Sequence, residues 1–134
     1  MARVSGKVAL ISGGARGMGA AHARRLVEEG AQVVIGDLLD EVGAATAAEI
    51  GENARYVHLD VTKPEDWDAA VATAVAEFGR LDILINNAGI ANFAPIEDYT
   101  LEQWNLIIAI NLTGTFNGIK AAIQIGRASC RERV

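Results

Sequence analysis

Residues 12–19 read Ser-Gly-Gly-Ala-Arg-Gly-Met-Gly and follow an apolar run, Lys-Val-Ala-Leu-Ile, at residues 7–11. The run predicts a buried β-strand, and residues 18–29 predict a helix. A glycine-rich turn from a strand into a helix can hold a nucleotide pyrophosphate, because free backbone N–H groups and the positive end of the helix dipole face it. The glycines are spaced G-x-x-x-G-x-G rather than G-x-G-x-x-G. The stretch therefore predicts a variant nucleotide-binding loop.

Strand and helix signals alternate along the remainder of the chain. The predicted elements after the first pair are a strand at 32–35, a helix at 40–50, a strand at 54–59, a helix at 64–78, a strand at 82–86 and, after a loop at 87–98, a helix from 101 to about 123. Such alternation, with strands rich in Val, Ile and Leu, builds a parallel sheet covered by helices on both faces. Right-handed crossovers then give the strand order 3-2-1-4. The sequence predicts an α/β fold, the N-terminal half of a Rossmann-type doubly wound parallel sheet.

Asp37 ends the second predicted strand, twenty positions after Gly17. A carboxylate at this place can accept hydrogen bonds from the ribose hydroxyls of NAD and would repel the additional phosphate of NADP. Arg16 in the glycine-rich loop favours the opposite choice, since a basic side chain can pair with that phosphate. Repulsion at short range excludes a ligand more firmly than one mobile surface arginine attracts it, so NAD is expected rather than NADP.

Polar and small residues follow the third and fourth predicted strands. Asp60 and Val61 come after the third strand, and Asn-Asn-Ala-Gly at 86–89 follows the fourth. Both segments therefore lie at the carboxyl ends of strands, the edge at which open α/β sheets bind ligands. Asparagine side chains can hold the loops in place, while Ala88 and Gly89 leave room for a flat ligand. We expect these segments to share one site with the glycine-rich loop.

Together these motifs resemble the signature set of the short-chain dehydrogenase/reductase family. The set comprises Ser12-Gly13-x-x-x-Gly17-x-Gly19, Asp60-Val61, Asn86-Asn87-Ala88-Gly89 and, in the last helix, Asn111 within Asn-Leu-Thr-Gly. Within the family, residues 6–19 and 54–62 are similar to NAD-dependent 3α(or 20β)-hydroxysteroid dehydrogenases. The resemblance covers residues 4–120. It implies hydride transfer between NAD and an alcohol or ketone substrate, such as a hydroxysteroid, usually by a homotetramer.

The resemblance also implies roles for individual residues. The pyrophosphate and nicotinamide end of the cofactor is lined by Gly13, Arg16, Gly17, Met18 and Gly19, and the ribose is held by Asp37. Adenine contacts Asp60 and Val61, while the cofactor is flanked by Asn87, Ala88 and Gly89. Asn111 is implied to be a catalytic residue that orders a water beside a lysine. The family's remaining catalytic residues, a serine and a Tyr-x-x-x-Lys pair, belong to later chain segments. No Tyr-x-x-x-Lys occurs in this sequence. We therefore expect this polypeptide to be inactive by itself.

The last ten residues, Ile-Gly-Arg-Ala-Ser-Cys-Arg-Glu-Arg-Val at 125–134, differ abruptly in composition from those before them. Back-translated, every codon agrees with a widely used DNA-sequencing adapter read in frame. We therefore expect a truncated NAD(P)-binding Rossmann domain at 1–124 and an adapter-derived, non-native tail at 125–134. The alternative is a natural basic tail.

Composition narrows the classes of function. The chain has 134 residues, of which 51% are hydrophobic, and this suits one domain with a buried α/β core. Residues 1–124 keep nine basic and sixteen acidic side chains, a net charge of about −7 that argues against nucleic acid or an anionic membrane as partner. The only cysteine is Cys130, in the expected tail, and His22 and His58 are too scattered for a metal site. No secretory segment or long apolar span opens the chain, and a cytoplasmic protein is expected.

Two classes of function stay open. The first is an NAD-dependent alcohol/ketone oxidoreductase; within it, a β-ketoacyl-carrier reductase or a sugar dehydrogenase is the alternative to the hydroxysteroid enzyme. The second is a non-enzymatic nucleotide-binding sensor that uses the same loop. An in-frame Tyr-x-x-x-Lys in the gene beyond Gln124 favours the enzyme, and a natural stop codon there favours the sensor.

Overall fold

A computed structural model describes the backbone of residues 2–132 and the side chains of residues 2–126. Four strands, β1 (Val8–Ser12), β2 (Gln32–Asp37), β3 (Ala54–His58) and β4 (Ile83–Asn86), form one parallel sheet in the order β3-β2-β1-β4. The predicted strand order is therefore confirmed. The register brings the last residues of all four strands to the same edge of the sheet.

Helices connect and cover the strands. They are α1 (Gly17–Glu28), α2 (Asp40–Ile50), α3 (Pro64–Phe78), α4 (Leu101–Ile107) and α5 (Gly114–Glu132). The predicted bounds of α2 and α3 agree with the structure. Pro64 stands at the first turn of α3, where its missing N–H has no helical partner to lose. The threonine before the last predicted helix is an expected cap, and Thr100 does cap α4: its hydroxyl accepts from the N–H of Gln103, and the Gln103 side chain accepts from the N–H of Thr100.

The last helix departs from its prediction in two respects. A π-helical segment, Ile108–Thr113, joins α4 to α5, and the helix continues to Glu132 instead of ending near residue 123. The Ala, Arg and Glu residues after position 125 are good helix formers, and extending a helix that already exists needs no new nucleus. That residues 125–134 are non-native stays a prediction.

Two apolar layers hold the sheet between the helices. Because side chains alternate along a strand, Val8 and Leu10 face the layer formed with α3 and α5, while Ala9 and Ile11 face the layer formed with α1 and α2. Trp67 of α3 is the largest fully buried side chain. Each such Val, Leu or Ile contributes about 1.5–3 kcal/mol through its burial, so the sheet rigidly positions the loops at its edge.

The long last helix is apolar over much of its length. Its segment Leu101–Gly126 is long and apolar enough to cross a membrane, judged by length and composition alone. A core helix of a soluble protein meets the same criteria, and here Asn117 and Ala121 are buried on the side facing the sheet. Leu106 and Phe116 on the helix are exposed. The helix does not by itself indicate a membrane protein.

Candidate functional site

A cleft of about 440 Å3 opens where the loops after the four strands meet. Its lining residues are Gly13, Arg16, Gly17, Asp37, Leu38, Leu39, Leu59, Asp60, Val61, Ala88, Gly89, Ile90 and Ile110. Most of the predicted cofactor residues are among them. Gly19 and Asn87 are instead packed behind the glycine-rich loop, and Met18 is 71% exposed and lies outside the cleft.

The glycines of the loop have different reasons to be glycine. Gly13 and Gly17 have φ of 67° and 59°, a left-handed conformation that side chains rarely adopt. A Cβ on Gly13 would lie 2.9 Å from Cα of Ala88, and a Cβ on Gly19 would overlap the Gly13 carbonyl oxygen. A Cβ on Gly17 would meet no atom within 4 Å, because Gly17 faces the open cleft. Close packing therefore constrains Gly13 and Gly19, whereas Gly17 keeps the entrance to α1 clear.

The loop after β4 is fastened to the glycine-rich loop. The buried hydroxyl of Ser12 accepts hydrogen bonds from the backbone N–H groups of Asn87 and Ala88, each at 3.1 Å. The Asn87 side chain in turn donates to the Gly13 carbonyl oxygen at 2.9 Å. Asn87 thus supports the wall of the cleft without lining it. The sequence patterns did not predict that Ser12 connects the two loops.

The Asp37 carboxylate lies at the end of β2 with both oxygens facing backbone donors. Oδ2 accepts from the N–H of Ala15 at 3.0 Å, and Oδ1 accepts from the N–H of Leu39 at 3.1 Å. The first bond connects the carboxylate to the glycine-rich loop. Each carboxylate oxygen can accept more than one hydrogen bond, so Asp37 retains acceptor capacity toward the cleft it lines.

Asp60 and Val61 form the wall after β3. Asp60 Oδ1 accepts from the Thr62 hydroxyl at 2.6 Å and from the Thr62 N–H at 2.9 Å. The hydroxyl bond is the main cause that lowers the pKa of Asp60 below its usual range. The threonine two positions before Pro64 predicts Thr62 as the cap of α3, but the helix begins at Pro64 and Lys63 occupies the cap position. The Thr62 hydroxyl bonds Asp60 instead. The Val61 carbonyl accepts from Trp67 Nε1 at 3.0 Å, which ties this wall to the core.

Asn111 lies in the π-helical segment and faces the loop after β4. Its Oδ1 accepts from the Ile90 N–H at 2.9 Å, and its Nδ2 donates to the Ile90 carbonyl at 2.8 Å. A π-helical turn widens the helix by one residue and commonly marks a functional position. No signal in Ile-Ala-Ile-Asn-Leu-Thr predicts such a turn, since the segment lacks Pro and Gly.

The apolar part of the cleft was missed by the sequence reading. Its residues are Leu38, Leu39, Leu59, Ile90 and Ile110. The one available signal was Leu-Leu directly after Asp37, two exposed leucines where a strand-to-helix turn usually carries polar residues. These side chains make a surface on which a flat aromatic ring can pack.

Charge is distributed unevenly along the cleft. The carboxylates follow β2 and β3, at one side of the sheet, whereas Arg16 and the N-terminus of α1 follow the central strand β1. The first turn of α1 contains no acidic residue, so its N–H groups present a positive end to the cleft. Among the residues whose positions are described, no cluster of His, Cys, Asp or Glu could hold a metal ion.

Comparisons with known proteins show the family of the chain. A family model described as short chain dehydrogenase matches residues 7–129. A 3-alpha-(or 20-beta)-hydroxysteroid dehydrogenase of Mycobacterium tuberculosis is 62% identical over 122 residues, 91% of this chain and 47% of the relative. A trans-4-hydroxycyclohexanecarboxylate dehydrogenase of Sinomonas cyclohexanicum is 50% identical over 95% of this chain and 52% of its own length.

Solved structures are similar as well. The 3-ketoacyl-(acyl-carrier-protein) reductase from Brucella melitensis, complexed with NADH, has a TM-score of 0.88 and 38% identity, covering 91% of this chain and 51% of that one. A short-chain dehydrogenase/reductase of the glucose/ribitol dehydrogenase type from the same organism has a TM-score of 0.87 and 31% identity, covering 90% and 52%. The chain thus spans about half the length of the relatives it matches.

Proposed function

The chain belongs to the short-chain dehydrogenase family, and from that membership we propose that it carries the NAD-binding part of an oxidoreductase acting on hydroxysteroids. One observation carries the proposal: the Asp37 carboxylate stands on the cleft wall, held there by the glycine-rich loop itself. The loop that would receive the pyrophosphate and the carboxylate that would receive the ribose are therefore one connected unit.

The residues present fit a dinucleotide. The glycine-rich loop forms a cradle that a Cβ at Gly17 would begin to fill, and the N–H groups at the start of α1 face the same space. Arg16 adds a positive charge suited to a pyrophosphate. The leucines and isoleucines of the cleft provide an apolar slot for adenine, beside the acidic side chain of Asp60.

Each part of the chain then has a defined task. The bound NAD supplies the site that accepts or returns a hydride. The α1 N-terminus and Arg16 bind and orient the pyrophosphate, and Asp37 accepts hydrogen bonds from the adenosine ribose hydroxyls. A 2′-phosphate at that ribose would meet the Asp37 charge, so we propose NAD rather than NADP.

Asn111 is proposed to act through its main chain. Both ends of its side-chain amide are engaged by Ile90, while the Thr115 hydroxyl donates to the Asn111 carbonyl at 3.0 Å. This carbonyl belongs to the π-helical segment Ile108–Thr113. It is therefore the group with which Asn111 would order a water, the role that the family resemblance implies.

Relatives named for cyclic alcohols favour a ring-bearing substrate. The hydroxysteroid and hydroxycyclohexanecarboxylate relatives have higher identity to this chain than the ketoacyl and glucose/ribitol structures. A secondary alcohol on a molecule that contains a saturated ring is their shared chemistry. A β-ketoacyl-carrier reductase or sugar dehydrogenase remains the second candidate, and a nucleotide sensor without catalysis the third.

Assembly and location are proposed on the same basis. Leu106 and Phe116 expose apolar surface on the last helix, 53% and 59% accessible, as expected of a helix that packs against another subunit. We propose a homo-oligomer, as a tetramer, and a cytoplasmic location for the whole protein.

The decisive experiment uses the gene extended beyond Gln124. An in-frame Tyr-x-x-x-Lys, together with NAD reduction by 3α- or 20β-hydroxysteroids, is the expected result. Cyclohexanol derivatives, sugars and β-ketoacyl thioesters serve as competing substrates. A natural stop codon after residue 124, with NAD binding but no turnover, would support the sensor instead.

A further inference from the structure

One tyrosine contacts both ends of the turn between β2 and α2. The hydroxyl oxygen of Tyr56, on β3, lies 2.7 Å from the Asp37 carbonyl oxygen and 2.6 Å from Asp40 Oδ1. These two acceptors stand at the two ends of the turn, so the single hydroxyl hydrogen is shared between them. Leu38 and Leu39, between these ends, line the cleft.

Other contacts keep the hydroxyl in this position. The Tyr56 ring packs directly on α2 at Gly43, where an added Cβ would lie 2.9 Å from the ring carbon that carries the hydroxyl. His58 Nδ1 lies 2.8 Å from Asp40 Oδ1, the same oxygen that Tyr56 contacts. Burial and the Asp40 carboxylate raise the pKa of Tyr56, and the bonds from Tyr56 and His58 lower that of Asp40. The tyrosine therefore stays a donor and the aspartate an acceptor at neutral pH.

We infer that Tyr56 is a positioning residue for cofactor choice: by bonding the main-chain carbonyl of Asp37 and the side chain of Asp40, it aims the Asp37 carboxylate at the ribose. This inference rests on the proposed function, since it presumes that Asp37 reads the ribose of NAD. Asp37 is also held by the N–H groups of Ala15 and Leu39. Those bonds fix the carboxylate relative to its neighbours. Tyr56, together with the Leu59 N–H at 2.9 Å, holds the carbonyl of the backbone from which the carboxylate extends.

The test uses the protein encoded by the gene extended beyond Gln124 and compares its affinities for NADH and NADPH, followed by nicotinamide fluorescence. In Tyr56→Phe we expect the preference for NADH to fall about fivefold, the effect of losing one hydrogen bond. The matched control is Tyr99→Phe, which alters the chain's other tyrosine, in the loop before α4, and should leave the ratio unchanged. If Tyr56 had a merely structural role, Tyr56→Phe would lower the affinities for NADH and NADPH by the same factor.

A second variant keeps the hydroxyl and moves it. Gly43→Ala pushes the Tyr56 ring away from α2 while alanine favours the helix, so it should lower the same ratio. If circular dichroism shows that Tyr56→Phe is unfolded, the ratio of affinities in Gly43→Ala decides whether the inference holds. A folded variant with an unchanged ratio overturns the inference and leaves NAD binding intact. If the wild-type chain binds neither nucleotide, or prefers NADPH, the proposed function fails first and the inference with it.

Discussion

The side chain of Asn111 and the main chain of Ile90 form a two-way hydrogen-bonded pair across twenty-one positions of sequence. The pair connects the π-helical segment to the loop after β4, and Ile90 lines the cleft. Gly89 allows this approach, because a Cβ there would lie 3.3 Å from Asn111 Oδ1. The helix thus holds one wall of the cleft in place.

Replacing Asn111 should release that wall. Asn111→Leu removes both bonds, and at about 0.5–1.5 kcal/mol each we expect a loss of about 1–3 kcal/mol in the free energy of unfolding, with weaker NADH binding. Asn111→Asp keeps the acceptor but sets a negative charge against the Ile90 carbonyl, so it should be at least as harmful. Urea titration and NADH fluorescence measure the two effects. The control is Asn105→Leu on the exposed face of α4; equal effects of Asn105→Leu and Asn111→Leu would contradict the prediction.

The charge of Asp37 can be separated from its hydrogen bonds. Asp37→Asn retains one carbonyl oxygen, which can accept from one of the two backbone N–H groups, so the variant should stay folded while the repulsion of a 2′-phosphate disappears. We expect the preference for NADH over NADPH to narrow about tenfold, which corresponds to about 1.4 kcal/mol. Asp37→Ala should narrow it similarly and also lower the melting temperature. A wild-type preference for NADPH would refute the assignment of Asp37.

The glycines of the loop should separate folding from binding. Gly17→Ala meets open space, so its cost is the left-handed backbone, about 1–2 kcal/mol, together with a methyl group in the cleft. We expect a folded variant with strongly reduced NADH affinity. Gly79→Ala is the matched control: Gly79 has φ of 81° and open space, and it lies at the end of α3 outside the cleft.

Gly19→Ala should behave differently from both. Its Cβ would overlap the Gly13 carbonyl oxygen and approach Asn87 Nδ2 to 2.7 Å, so the loop itself must shift and stability must fall. Thermal melts and NADH titration of the three variants form one set. Full binding by folded Gly17→Ala would show that the loop does not receive the cofactor.

Acid should weaken the wall after β3. The Thr62 bonds lower the pKa of Asp60, so the stability they provide is present above the pKa of an unfolded Asp, about 3.9, and is lost as the pH falls through the lower folded value. Thr62→Val deletes the hydroxyl bond and keeps the backbone one. We expect it to raise the pH midpoint of acid unfolding, measured by circular dichroism. Thr73→Val is the control, because it alters a half-buried threonine of α3 whose hydroxyl bonds the Ala69 carbonyl and no carboxylate. Identical midpoints for Thr62→Val and wild type would contradict the pKa argument.

The 134-residue chain expressed alone should associate. In the sheet described, β4 pairs with β1 and with no other strand, and Leu106, Leu112 and Phe116 are more than half exposed. We expect aggregated or molten material in size-exclusion chromatography and no dehydrogenase activity. Leu106→Lys with Phe116→Lys should reduce this association, because both side chains are exposed on the last helix. A monodisperse wild-type sample with a sharp thermal melt would contradict the expected association. NAD reduction above background would contradict the expected lack of activity.

Features that have a local sequence pattern could be predicted without the structure. The strand order β3-β2-β1-β4 follows from alternating strands and helices and from right-handed crossovers, and the place of Asp37 at a strand end follows from where the apolar run stops. The helix cap at Thr100 is equally local, since Gln103 is only three positions away. In each case the prediction rests on a local pattern of residues, even where the paired strands are distant in the chain.

Only the tertiary structure decided which atoms meet across the cleft. Asn87 crowds Gly13 and Gly19, whereas no atom crowds Gly17. This difference depends on how closely two loops, more than sixty residues apart in the chain, are packed. The Tyr56 contact with Asp37 and the π-helical turn at Asn111 likewise have no periodic signature. Such contacts arise because the rigid sheet brings distant strand ends together, and close packing then selects partners that propensity and spacing do not specify.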